Sequence, residues 1–129
     1  MRTMSIDVDR IRPTASAAAA RQNTRAFLKG LLPALAAEAA DAVVLVVSEL
    51  VTNALRHGGG SCTLDLTEHP DSIDVAVHDN SPKTPRTRTP DLYGGTGGFG
   101  WPMVNRLART TTVTPQKTGG KTVSALLAR

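Results

Sequence analysis

Two spacings of hydrophobic residues divide the chain. Met4, Ile6 and Val8 alternate with polar neighbours, the repeat of a half-buried strand at a sheet edge. From Thr14 the period becomes helical: Ala17, Ala20, Phe27, Leu28 and Leu31 recur on one face, Thr14 is the expected N-cap, and Gly30 and Pro33 close the helix. A second helix is predicted from about Glu38 to His57, ended by Gly58, Gly59 and Gly60, which can adopt the left-handed cap conformation. Strands are expected at 61–68 and 72–78, joined as a hairpin by the turn residues His69, Pro70 and Asp71. Residues 81–98 contain Pro82, Pro85 and Pro90, then Gly94, Gly95, Gly97 and Gly98, and show no apolar period; the expectation is a lid or binding loop, or else disorder. Pro102 suits the first turn of a third helix over 103–108, and two final strands flank the turn at Gly119 and Gly120.

A chain of 129 residues is the size of one compact domain, so 1–129 is read as a single unit acting through one site or one surface. Aromatic residues are only 3% of the chain, which leaves the core to aliphatic side chains. No apolar run approaches the roughly 20 residues of a membrane span, and residues 1–12 carry charges where a signal peptide would be apolar; a cytoplasmic protein is expected. The single cysteine, Cys62, has no internal disulfide or zinc partner and reads as a small buried residue. The net charge of +4 does not make a nucleic-acid binder, because the basic residues are scattered and are not interleaved with stacking aromatics. An anionic nucleotide or an acidic protein partner accounts for the charge equally well.

The second helix carries the candidate chemistry. At about 100° per residue, Val43, Val47, Leu50, Val51 and Ala54 share an apolar arc, while Glu49, Thr52, Asn53, Arg56 and His57 fall opposite. Glu49, Asn53 and His57 are successive i, i+4 neighbours, so a carboxylate, an amide and an imidazole stack along one ridge. That face could simply be wet. However, Leu45 and Val46 lie within or beside it, and asparagine is a poor mid-helix residue unless its amide has a task. A ligand cleft would supply one.

Two further segments converge on the same chemistry. The apolar strand ending at Asp79 delivers a carboxylate to a strand tip, where it is either a turn-forming residue or a reader of a ligand donor. The string around Gly98 and Gly100, before a helix start, offers bare amides suited to phosphate. It literally contains GxGxxG at Gly95, Gly97 and Gly100, but no strand leads into the loop and Gly119 and Gly120 stand where a ribose-binding acid belongs. A Walker reading of Gly120, Lys121 and Thr122 fails because its first glycine would be Pro115.

Glu49-x-x-x-Asn53-x-x-x-His57 resembles the N box of the GHKL superfamily of gyrase, chaperone and histidine-kinase ATPases. The run from Ser48 to Ala54 is similar to that of its anti-sigma-factor serine kinase branch. The resemblance implies Glu49 as general base, Asn53 as magnesium ligand and, with His57, part of the nucleotide site. It implies Asp79 as the adenine reader, Gly98 and Gly100 as the phosphate cradle, and Thr122, from the terminal hairpin, as support for the aspartate. Ser81 and Lys83 stand where the pattern after the aspartate has glycines, and Trp101 replaces a customary leucine, with core packing as its expected role. Lys83, Arg86 and Arg88 are candidate phosphate contacts from the lid, although solvated loop charges are the plainer reading.

The implied architecture is a two-layer α/β sandwich: a mixed, mainly antiparallel sheet with three helices on one face. The implied function is an ATP- and magnesium-dependent serine kinase that sequesters a sigma factor and phosphorylates a STAS-type anti-anti-sigma antagonist, in a family where homodimers are usual. Neither direct nucleic-acid binding nor membrane association is expected. The alternative is a binding module acting by contact alone, without phosphoryl transfer.

Overall fold

The protein is represented by a computed structural model that describes residues 2–9, 13–57, 60–82, 100–117 and 119–129. Its elements run β1 (Thr3–Asp9), α1 (Pro13–Lys29), α2 (Ala37–His57), β2 (Ser61–Glu68), β3 (Ser72–Asp79), α3 (Gly100–Leu107), β4 (Thr110–Pro115) and β5 (Lys121–Ala128). The expected elements are all present. Helix α1 starts at Pro13, so Thr14 lies inside it rather than at the cap; proline suits a first helical position, where its missing N–H has no intrahelical partner to lose. Helix α3 starts earlier than expected, at Gly100, and takes Trp101 and Pro102 into its first turn.

The five strands form one sheet in the order β1-β2-β3-β5-β4, with all four described pairings antiparallel. The strand of alternating Met4, Ile6 and Val8 is an edge, in keeping with its pattern. Because facing residues of an antiparallel ladder share a side, the register separates two surfaces. Val8, Cys62, Leu64, Leu66, Ile73, Val75, Val77, Val123, Ala125 and Leu127 are buried beneath the helices. The alternate positions, among them Asp7, Thr63, Asp65, Asp74, His78, Thr112 and Ser124, form an outer face rich in short polar side chains.

Helices α1 and α2 pack together and α2 lies across β2, β3 and β5. Ala17, Ala20, Phe27 and Leu28 of α1, and Leu31 just beyond it, are buried as the helical spacing requires. Helix α2 buries Val43, Val44, Val46, Val47, Leu50, Val51, Ala54 and Leu55. Of the two apolar residues near its polar arc, Val46 is fully buried and Leu45 remains exposed. Each Val or Leu withdrawn from water contributes about 1.5–3 kcal/mol, so this valine-rich face fixes the height and rotation of α2 over the sheet. That in turn fixes where its polar ridge can point. After α2, Gly60 takes φ 110°, a left-handed conformation unfavourable for other residues, and feeds the chain into β2.

None of the described helices is long and apolar enough to cross a membrane.

Candidate functional site

The ridge predicted on α2 is real, and α3 is packed against it. Glu49 and Asn53 are half-buried, one turn apart, while His57 is exposed at the end of the helix. Gly100, the first residue of α3, is buried directly over this pair: a Cβ built on it would fall 2.5 Å from Glu49 Oε2 and 3.9 Å from Asn53 Nδ2. Only a glycine lets the backbone come this close without moving the carboxylate. The start of α3 is held there by Val104, which is fully buried, and by Trp101, which is half-buried against the core. The core-packing role expected of Trp101 is the one it has.

Strand β3 carries its C-terminal aspartate to the same side of the sheet. Asp79 follows Ile73, Val75 and Val77 on the face beneath the helices and is buried. The register of the β2–β3 ladder sets Cys62 opposite Asp79, and Cys62 comes five residues after the end of α2. The C-terminal half of α2 and the tip of β3 therefore lie at one end of the molecule.

The surroundings of Asp79 differ from the expectation in one respect. The β5 residue facing it is Lys121, not Thr122. Lys121 Nζ donates to Asp79 at 2.9 Å from each carboxylate oxygen and to the Ser81 carbonyl at 3.1 Å. The Ser81 amide also donates to Asp79 Oδ1 at 2.9 Å, so the serine in a glycine position closes a local turn around the carboxylate. The ion pair is removed from water, with side-chain exposures of 7% for Lys121 and 3% for Asp79. Gly120 is pressed onto this turn, where a Cβ would overlap the Asp79 carbonyl oxygen and crowd the Asn80 Cα.

Thr122 belongs to the other surface. Adjacent strand residues alternate in direction, so its side chain joins the outer face, where it pairs with His78. His78 Nδ1 lies 2.6 Å from Thr122 Oγ1 and Nε2 lies 2.8 Å from Asp65 Oδ2. Gln116 Nε2 donates to the same hydroxyl at 2.8 Å. Thr122 thus braces the outer sheet, and the support of Asp79 expected of it is supplied by its neighbour. A cavity of about 340 Å³ opens at this rim, lined by Asp7, Thr63, His78, Asp79, Asn80 and Gln116 among others.

Cys62 is buried beside Asp79, and burial, followed by the Asp79 and Asp7 carboxylates, pushes its thiol up to about 11. It is an inert packing residue, not a nucleophile. Gly98, the basic residues Lys83, Arg86 and Arg88, and the expected lid lie outside the described residues, apart from Ser81 and Pro82 at its start.

The motif pattern passes over Lys121, although a signal for it exists. In Lys121, Val123, Ala125 and Leu127 the lysine opens the inward-facing series of a strand, and the Gly119–Gly120 turn leads straight into it. A charge in that register must find a buried partner.

In comparison with known proteins, a model of the histidine kinase-like ATPase domain matches residues 12–126, nearly the whole chain. No curated protein matches it.

Proposed function

This chain belongs to the histidine kinase-like ATPase domain family, and from that premise we propose that it is an ATP-binding regulator, an anti-sigma factor with serine kinase activity toward an anti-anti-sigma antagonist. The observation that carries the reading is the close seating of Gly100 on both Glu49 and Asn53, which brings a carboxylate, an amide and a helix N-terminus together. An N-terminal turn presents free N–H groups and the positive end of the helix dipole, both suited to a polyphosphate. The donor set fits magnesium, since an asparagine oxygen supplies a hard ligand without added negative charge. Asn53 would hold the ion, and its chemistry there is neutralisation of phosphate charge.

The half-burial of the Glu49 carboxylate beside the start of α3 supports a role for it in proton transfer. The acceptor serine Oγ attacks the γ-phosphorus, its proton passes to the Glu49 carboxylate, the bond from phosphorus to the bridging oxygen breaks, and ADP leaves with that electron pair. Sequestration of a sigma factor, a cytoplasmic location and a homodimer complete the proposal on resemblance to the anti-sigma branch.

A second reading, an ATP-binding or partner-binding module without phosphoryl transfer, is favoured by one observation: the Asp79 carboxylate is already engaged by Lys121. The test is transfer of labelled γ-phosphate from magnesium-ATP to a STAS-type protein, with nucleotide binding measured in parallel. The kinase reading expects serine phosphorylation that Glu49→Ala abolishes while binding persists. Binding without transfer selects the ATP-binding form of the second reading, and no nucleotide binding rejects the kinase and leaves a module acting by partner contact alone.

A further inference from the structure

Lys121 changes the chemistry that the end of β3 presents. A bare aspartate at this place would select a base by charge and hydrogen-bonding sense: an exocyclic amine donates to it, whereas a carbonyl oxygen is repelled. Here the carboxylate is not bare. The three ammonium protons of Lys121 match three acceptors, Asp79 Oδ1, Asp79 Oδ2 and the Ser81 carbonyl, at 2.9, 2.9 and 3.1 Å. The carboxylate has about four lone-pair positions, of which the ammonium and the Ser81 amide occupy three. Among the described residues, what is left is a neutral, buried pair with one acceptor position to spare. Adenine can offer that position its amine and guanine its ring N–H, and no net negative charge remains to repel the guanine oxygen.

We infer that Lys121 is a specificity-determining residue that relaxes base selection, so that the site takes purine nucleoside triphosphates with little preference between adenine and guanine. The inference rests on the reading of Asp79 as the base-contacting residue of a nucleotide site. The ion pair is structural as well: removing the lysine takes the cation from a buried carboxylate and leaves it the Ser81 amide, so a substitution test needs a folding control.

The experiment is calorimetric titration of the full chain with ATP and with GTP, each with magnesium, on the wild type, Lys121→Thr and Lys121→Arg, with circular dichroism to establish folding. Wild type and Lys121→Arg are expected to bind the two nucleotides within about threefold of each other, and Lys121→Thr to prefer ATP by about tenfold or more. A wild-type preference for ATP beyond about tenfold overturns the inference even if Lys121→Thr does not fold, and leaves the nucleotide site intact. An unchanged ratio in a folded Lys121→Thr also overturns it. Failure of the wild type to bind either nucleotide removes the nucleotide site itself, and the inference with it.

Discussion

Replacing Gly100 by alanine separates the position of the Glu49 carboxylate from the stability of the fold. The new Cβ would stand 2.5 Å from Glu49 Oε2. Ordinary non-bonded contact begins at about 3.5 Å, so the carboxylate oxygen must retreat by about 1 Å. The neighbouring distance, 3.9 Å to Asn53 Nδ2, is already ordinary contact, and Asn53 need not move. A glutamate tip can rotate aside at a cost of about 0.5–1.5 kcal/mol for an off-rotamer torsion, while alanine in a helix regains about 0.5–1 kcal/mol over glycine. These two effects nearly cancel, and the net loss of stability is then set by the contact the Glu49 carboxylate gives up, about 1–2 kcal/mol for one charged hydrogen bond. Catalysis has no such compensation: a misplacement of about 1 Å can cost on the order of a hundredfold, equivalent to about 2.7 kcal/mol of transition-state stabilisation. If the chain is the proposed kinase, Gly100→Ala is expected to stay folded in a urea titration, to bind ATP within about threefold, and to transfer phosphate about a hundredfold more slowly in a single turnover. A folded variant transferring at the wild-type rate would refute the catalytic importance of that carboxylate's position.

Gly120→Ala meets backbone rather than a movable tip, at Asp79 and Asn80, and should destabilise by about 1–3 kcal/mol or more in urea titration. The Cys62 thiol, raised from 9.0 to about 11, should react at pH 8 about a hundredfold more slowly with a thiol reagent in the native state than in the unfolded chain. Between those values the unfolded chain releases the proton and the native state keeps it, so this contribution to stability is full below pH 9 and falls as pH rises, a dependence that Cys62→Ala should remove. The Glu68 carboxyl is held below its ordinary value by the side-chain hydrogen bond from Arg129, then by the Arg2 amide. Its contribution is present above the ordinary value and lost as pH falls through the lower native one; Arg129→Ala should return Glu68 upward, as followed by carboxyl NMR shifts.

The fold was legible because period and punctuation agree in most segments. The switch from the alternation of Met4, Ile6 and Val8 to the helical spacing of Ala17 through Leu31 marks a change of element that packing then enforces. The ridge of Glu49 and Asn53 was visible because helical spacing is rigid, so four residues apart means one turn apart. What sequence spacing did not reveal was the pairing across the sheet. Whether Lys121 or Thr122 faces Asp79 depends on a register that a one-residue slip would reverse, and the family pattern directs attention to the threonine. The nearness of Gly100 to Glu49 was likewise hidden, because it depends on how α3 seats against α2.

The last strand of this sheet is not at its margin: β5 lies between β3 and β4. During synthesis, everything from β1 to β4 leaves the ribosome before the segment that joins the two parts. Until residues 121–128 emerge, the nascent chain presents the unpaired edge of β3 beside Val75 and Val77, an invitation to intermolecular pairing that chaperones exist to prevent. A premature stop just before Lys121 would thus release an aggregation-prone chain, because residues 121–128 are the strand that fills the gap between β3 and β4.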